Sequence, residues 1–475
     1  MRTMLVLTLT ALLLNALPAG AQQPTPAKWT VFVYMNADNE LEPYALKDLK
    51  EMSNMYRALT PAKRAQFLAD VHVVILFDRA LKERTPDLPD WNGAVEFRFP
   101  DKPDASTAKP ANMGDGKTLA DFLKRGIQRY PAERYAVVVW CHGAGWRDIQ
   151  VARDDRSNFP GRPVPQRAAA AEAAKPKVPA GIEAPLFKAA SGDHGDQLYN
   201  AEIAQALASA FNGRKVELLA FDSCLMGMLE AAYAFRDVAG AYVASEELVP
   251  SYGFDYNRWL TALATRPEMN GLEAGKAIVD SYQAYYTAAR SDSATLAAID
   301  LSMIDQVAKA TSAFSNALRA ALNSERAAIK KARAPEAVTE YDPFLCDRPS
   351  GNAPPYCHGG VFHHVDLARF AQSAETEVSN ADVRSTAAQL RKAITDAVGG
   401  RRWAAPGREG GKFGSAGLAI YFPADVETFL NDPWNDHSYD KPVTNRFTPY
   451  PVKFVTDHTW ADFLHDYYFP AEVHQ

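Results

Sequence analysis

The strongest constraint on how this chain folds is a set of short, almost unbroken apolar runs. These are "WTVFVYM" from Trp29, "VHVVILFD" from Val71, "YAVVVWC" from Tyr135, "VELLAFD" from Val216 and "AYVASEE" from Ala241. They are rich in β-branched and aromatic residues and are bounded by polar or turn-forming ones. A strand with one wet face alternates apolar with polar; continuous hydrophobicity marks strands covered on both faces, as in a parallel sheet between helices. The segments between them have the helical period. In "TLADFLKRGIQRY", Leu119, Phe122, Leu123 and Ile127 share one stripe. "AEIAQALASAF" precedes the Val216 run, and "LMGMLEAAYAFR" follows it with Leu225, Met228, Leu229, Ala232 and Tyr233 on one face. Strand and helix in alternation predict an α/β sandwich: a mostly parallel central sheet flanked by helices, with right-handed crossovers.

The first residues have a different character. Arg2 is followed by an apolar run from Leu5 to Leu17 and by Ala19-Gly20-Ala21. That order of charge, apolar core and small-residue cleavage site reads as a secretory signal peptide over residues 1–21. The run is shorter than the roughly 20 apolar residues a spanning helix needs, so export to the periplasm or beyond is expected, with no membrane as partner. A main domain is expected over 28–300. Within it, 147–196 is rich in Ala, Pro, Lys and Arg, including "RPVPQRAAAAEAAKPKVPAG", and reads as a mobile insertion open to proteolytic nicking. A mainly helical region follows over 301–475, in which "AGLAIYFP" (416–423) reads as a strand returning to the sheet.

The balance of charge over 475 residues is mild, at −6. No basic patch interleaved with aromatics points to nucleic acid. The four cysteines fall into two classes. Cys346 and Cys357 bracket a Pro- and Gly-rich loop, which in an oxidising compartment reads as a disulfide. The rival there is a zinc site using Cys357, His358, His363, His364 and Asp366, for which the cysteine spacing is wide. Cys141 and Cys224 stand at the ends of apolar runs. A disulfide between them is one reading, and it would silence either thiol.

The other reading is chemical. "YAVVVWCHGAGWR" places His142 and Gly143 directly after one strand, and "VELLAFDSCLMG" places Cys224 directly after another. Ligand sites in open parallel sheets form at the carboxyl ends of strands, and neighbouring strands lie only about 4.8 Å apart. An imidazole beside a thiol, with the positive end of the following helix, favours the nucleophilic thiolate. Gly143 has no side chain to block a substrate, so its N–H can face a developing oxyanion. Singly, a buried thiol and a strand-end histidine are ordinary core residues; the matched positions are the signal.

"CHGAGW" and "FDSCLMGMLEAAY" resemble the histidine and cysteine motifs of the clostripain family of cysteine peptidases, which share the caspase-like fold. "VFVYMNADNELEPYALKDLKEM", "VASEELVPSYGFDYNRWL", "TLAAIDLSMI", "HVDLARFA" and "GLAIYFP" resemble further segments of that family. The resemblance implies an endopeptidase with Cys224 as nucleophile and His142 as base and acid. The N–H groups of Gly143 and Cys224 would form the oxyanion hole. Family members commonly cleave after Arg or Lys, and Asp222 matches the aspartate that stands two before their cysteine; capping of the next helix is its other reading. Similar enzymes often carry an acid just before the glycine that here is Gly253, where this chain has Tyr252; Asp255 is the nearest substitute. Relatives can be activated by cutting themselves between the His and Cys strands, and Arg147 to Lys188 is the matching stretch. No cofactor is required by this chemistry. Calcium serves some relatives, and Asp154, Asp155, Asp193 and Asp196 could supply oxygen ligands, though without an ordered calcium loop. The alternative in another class is a secreted binding or scaffold protein that keeps the fold and no longer cuts.

Overall fold

The computed structural model describes residues 26–143, 145–146, 198–289, 294–341, 363–404, 414–431, 439 and 452–470. The signal-peptide stretch, the 147–196 insertion, Cys346, Cys357 and His358 lie outside the described residues.

Each of the five apolar runs is a strand: β1 (Ala27–Ala37), β2 (Val71–Arg79), β4 (Ala132–Trp140), β5 (Val216–Asp222) and β6 (Ala239–Ala244). They are joined by β3 (Gly93–Phe99), β7 (Thr295–Asp300) and β10 (Arg401–Ala404) in one eight-stranded sheet of order β10-β7-β6-β5-β4-β1-β2-β3. The pairs β1–β2, β1–β4, β4–β5 and β5–β6 are parallel. The outer strands β3, β7 and β10 pair antiparallel. This is the mostly parallel α/β sandwich that the patterning and the caspase-like resemblance implied.

Successive side chains of a strand point to opposite faces, and here both faces are apolar. Val31, Val33 and Met35 of β1, Val138 and Trp140 of β4, and Leu218 and Ala220 of β5 pack into one core. It is closed by Leu49 and Met52 of α1 (Glu42–Ala58), Trp259 and Leu260 of α6 (Tyr256–Thr265), and Ile278 and Tyr282 of α7 (Gly271–Ala288). Phe32, Tyr34, Val137, Val139, Leu219 and Phe221 form the second core. Against it lie Leu119, Phe122 and Leu123 of α3 (Gly116–Arg129), which are buried as their stripe predicts, and Ile203 and Leu207 of α4 (Asn200–Ala210).

The C-terminal region shares this second core rather than building its own. Phe314 and Leu318 of α8 (Ile304–Arg333), Phe370 of α9 (Leu367–Glu377), Leu390 of α10 (Ala381–Ala397) and Phe463 of α13 (Trp460–Tyr468) all belong to it. The strand expected over 416–423 is present as β11 (Ala419–Tyr421), but the sheet it joins is a different one. It pairs with β9 (His364–Asp366), which pairs with β8 (Glu340–Tyr341), in a separate three-stranded sheet. The edge of the large sheet is taken by β10 instead. Buried carboxylates fasten the small sheet to the domain beneath it. Glu246 accepts from Gly417 N at 2.9 Å and from Ser415 Oγ. Glu230 accepts from Tyr421 N at 3.0 Å.

The helix after Cys224 also begins later than its spacing suggested. It is α5 (Leu229–Phe235), and Leu225 has a left-handed φ of 60°. The backbone of 225–228 is engaged elsewhere. Leu225 N donates to Glu247 O at 3.2 Å, Gly227 N to Ser245 O at 2.7 Å, and Gly227 O accepts from Ala419 N at 2.9 Å. These bonds tie the segment to the β6 exit and to β11, so a helical ladder cannot form there. The helix end thought to favour the thiolate is therefore not at the thiol.

Candidate active site

Three strands that adjoin in the sheet, β1, β4 and β5, deliver the candidate residues. Trp140 of β4 lies opposite Asp222 of β5 and opposite Met35 of β1. His142 and Cys224 each stand two residues past a matched pair, so they leave the same edge of the sheet one strand spacing apart. The two exits are in direct contact. A Cβ placed on Gly143 would lie 2.5 Å from Cys224 O, 2.8 Å from Ser223 Cβ and 3.2 Å from Cys224 N. Only glycine permits that approach. Ser223 Oγ also donates across the gap to Cys141 O at 2.8 Å.

His142 is buried, and its Nε2 lies 2.9 Å from Glu40 Oε1 in the turn after β1. The hydrogen bond from His142 holds the Glu40 carboxyl down at about 2, against some desolvation that acts the other way. Cys141 and Cys224 are both buried thiols, so the disulfide between them is not formed. Cys141 Sγ donates to His142 O at 2.8 Å. Cys224 is fully buried, and its sulfur accepts from Val249 N at 3.2 Å. The segment after β6 thus lies over the candidate nucleophile.

Asp222 is also fully buried, and Oδ2 accepts from Phe254 N at 3.1 Å and Tyr256 OH at 3.4 Å. These contacts exclude the helix-cap reading, since α5 starts well beyond it and has Met228 at its cap position. Burial and then the charge of Asp222 push the Tyr256 phenol well above the ordinary tyrosine range. Asp255, the proposed substitute acid, is committed elsewhere: it caps α6 through Arg258 N at 2.9 Å and pairs with the Arg258 guanidinium. Tyr252 is 44 % exposed. Its ring carries Lys47 Nζ at 4.7 Å from the centroid, while Lys47 is ion-paired with Glu51. Where the resemblance led to the expectation of an acid, this chain presents an aromatic face already shared with its own cation.

His364 is buried in β9, with its ring 6.3 Å from that of Tyr421. Among the described residues no three His, Cys, Asp or Glu side chains form a metal-holding group. Of the residues that sequence reasoning passed over, Glu40 and Val249 matter most. Glu40 follows the strand beside β4, so the strand-end argument that found His142 and Cys224 could have reached it once the sheet order was known.

A histidine and a cysteine thus stand at adjoining strand exits of a mostly parallel α/β sheet. The model of the clostripain family matches residues 33–157 and 189–467, and the chain belongs to that family of cysteine peptidases. It is 28% identical over 257 residues to clostripain from Hathewaya histolytica, a match covering 49% of this chain and 41% of that protein, so less than half of that relative's length is spanned. The fold is similar to that of a secreted C11 cysteine protease from Bacteroides thetaiotaomicron, solved in complex with an irreversible peptide inhibitor. That likeness has a TM-score of 0.51 at 17% identity, covering 84% of this chain and 93% of the other. Among the described residues no helix is long and apolar enough to cross a membrane.

Proposed function

We propose that the chain is an exported cysteine endopeptidase in which Cys224 and His142 act as a dyad on peptide or protein substrates. The observation that carries this reading is the contact of the β4 and β5 exits, with Gly143 against the Ser223–Cys224 backbone. In the reaction the Cys224 thiol gives its proton to His142, and the sulfur adds to the scissile carbonyl carbon. The N–H groups of Gly143 and Cys224 receive the oxyanion. His142 then protonates the leaving amine as the C–N bond breaks, and water attacking through the same base releases the acyl group. Asp222 supplies the negative charge for an Arg or Lys side chain before the cleaved bond. No cofactor enters these steps; the calcium ligands considered above, Asp154, Asp155, Asp193 and Asp196, lie outside the described residues.

The full burial of Cys224 under Val249 supports a latent form whose thiol must be uncovered before substrate reaches it. Self-cleavage between Arg147 and Lys188 is the activating step that fits, again outside the described residues. The same burial favours the second reading, a silent binding or scaffold protein. Digestion of a peptide library by the wild type and by Cys224→Ala separates the two. Cleavage after Arg or Lys by the wild type alone supports the enzyme; no cleavage by processed wild type, or undiminished cleavage by the variant, refutes it.

A further inference from the structure

We infer that Glu40 is a positioning residue for His142, completing a carboxylate–imidazole–thiol line in which the three groups follow the strand order β1, β4, β5. The inference rests on the dyad proposed above and adds a member to it. Its direct support is the 2.9 Å contact between Glu40 Oε1 and His142 Nε2. With Nε2–H donated to a carboxylate, the tautomer is set and Nδ1 is the nitrogen left for the thiol. Nδ1 is itself buried, and it has no hydrogen-bond partner among the described residues.

The turn that carries Glu40 is anchored rather than loose. Asn39 Oδ1 accepts from Leu41 N at 2.8 Å, closing an Asx turn. The next acid, Glu42, is buried, with Arg79 Nε at 2.7 Å and Lys82 N at 2.7 Å on its two oxygens. Glu40 therefore projects from a fixed frame built by β1, the start of α1 and the end of β2. The charged group on the imidazole is Glu40 itself; Lys82 acts in turn on Glu40, and the buried Arg79–Glu42 pair belongs to the same frame. Glu40 stays ionised down to about pH 2, so it is an anion wherever the enzyme is folded and working.

When the thiol proton moves to Nδ1, the imidazolium gains a counter-charge at Nε2, and the ring cannot turn without breaking that bond. Glu40 touches neither substrate nor sulfur; it acts through His142. The side chain is 54% exposed, so its charge is partly screened by solvent.

The test uses the full processed chain as wild type, Glu40→Gln, Glu40→Ala and Glu40→Asp. Proton and nitrogen NMR of the His142 ring reads the inference without needing turnover, and hydrolysis of a cleaved peptide reads its consequence. Expected is an Nε2–H tautomer in the wild type, giving way to a mixture of tautomers in Glu40→Ala. In Glu40→Gln kcat falls about tenfold while KM holds, and Glu40→Asp recovers most of the loss. Unfolding midpoints of all four proteins stay close, because the side chain is exposed. An Nδ1–H tautomer, or a Glu40→Gln kcat equal to that of the wild type, overturns the inference. Failure of the dyad itself appears separately, as hydrolysis that survives Cys224→Ala or His142→Ala.

Discussion

Replacing Gly143 by alanine tests the contact on which the whole site depends. The new methyl would sit 2.5 Å from Cys224 O and 2.8 Å from Ser223 Cβ, whereas optimal heavy-atom contacts lie near 3.5 Å. One exit must therefore retreat from the other by about 0.5–1 Å. The obstacle is backbone and a Cβ, not the mobile end of a side chain, so the strain cannot be relieved by a rotamer change. Overpacking of this kind costs roughly 1–3 kcal/mol of stability. Misplacing reacting groups by about 1 Å costs about 100-fold in rate, which is about 2.7 kcal/mol of transition-state stabilisation. The assay is kcat/KM on a cleaved peptide together with urea unfolding of the same samples. Gly213→Ala is the control: its φ is 74° and nothing lies within 4 Å of the added Cβ. It should lose roughly 1 kcal/mol to left-handed backbone strain and keep full activity. Wild-type kcat/KM in Gly143→Ala, or a loss no larger than in Gly213→Ala, would refute the claim that the two exits must touch.

Two more outcomes follow from buried carboxylates. Asp222→Asn keeps an acceptor for Phe254 N and Tyr256 OH but removes the charge. The kcat/KM ratio of an arginine substrate over its neutral citrulline analogue should drop about tenfold or more, and an unchanged ratio would reduce Asp222 to a structural role. Glu246 is pushed well above the ordinary glutamate range, first by burial and then by the nearby Asp366 carboxylate. A raised carboxyl is a source of stability that is complete below its unfolded value of about 4.3 and is lost as pH rises through the folded value. Glu246→Gln should therefore flatten the fall in urea stability on the alkaline side, a slope of up to about 1.4 kcal/mol per pH unit; an identical slope in both proteins sinks that assignment.

The inner strands were legible because burial on both faces writes itself into sequence as unbroken apolar runs, and all five appear where those runs lie. The edges were not. β3, "GAVEFRF", alternates, with Glu96 and Arg98 less buried than their neighbours, and β10 has four residues, too short for a pattern. "AGLAIYFP" announced a buried strand correctly, but hydrophobicity does not specify which sheet receives it. Leu225 and Met228 fell on a helical stripe because both are buried; what prevents the helix is backbone pairing with Ser245, Glu247 and Ala419, all remote in sequence. His142 and Cys224 were legible as strand-end residues of reactive type. Glu40 was not, since only the sheet order puts the turn after β1 beside the exit of β4.

That order also brings the proposed nucleophile and the acid proposed to read a basic side chain under one covering segment. One segment, running from the end of β6 to α6, touches both. Its Glu247 O and Val249 N hold Leu225 and the Cys224 sulfur, and a few residues on, Phe254 N and Tyr256 OH meet Asp222. Tyr286 OH donates to Gly253 O at 3.0 Å, tying the middle of the segment to α7. If the thiol is the nucleophile proposed above, moving this segment to uncover it would also disturb the contacts that Phe254 N and Tyr256 OH make with Asp222.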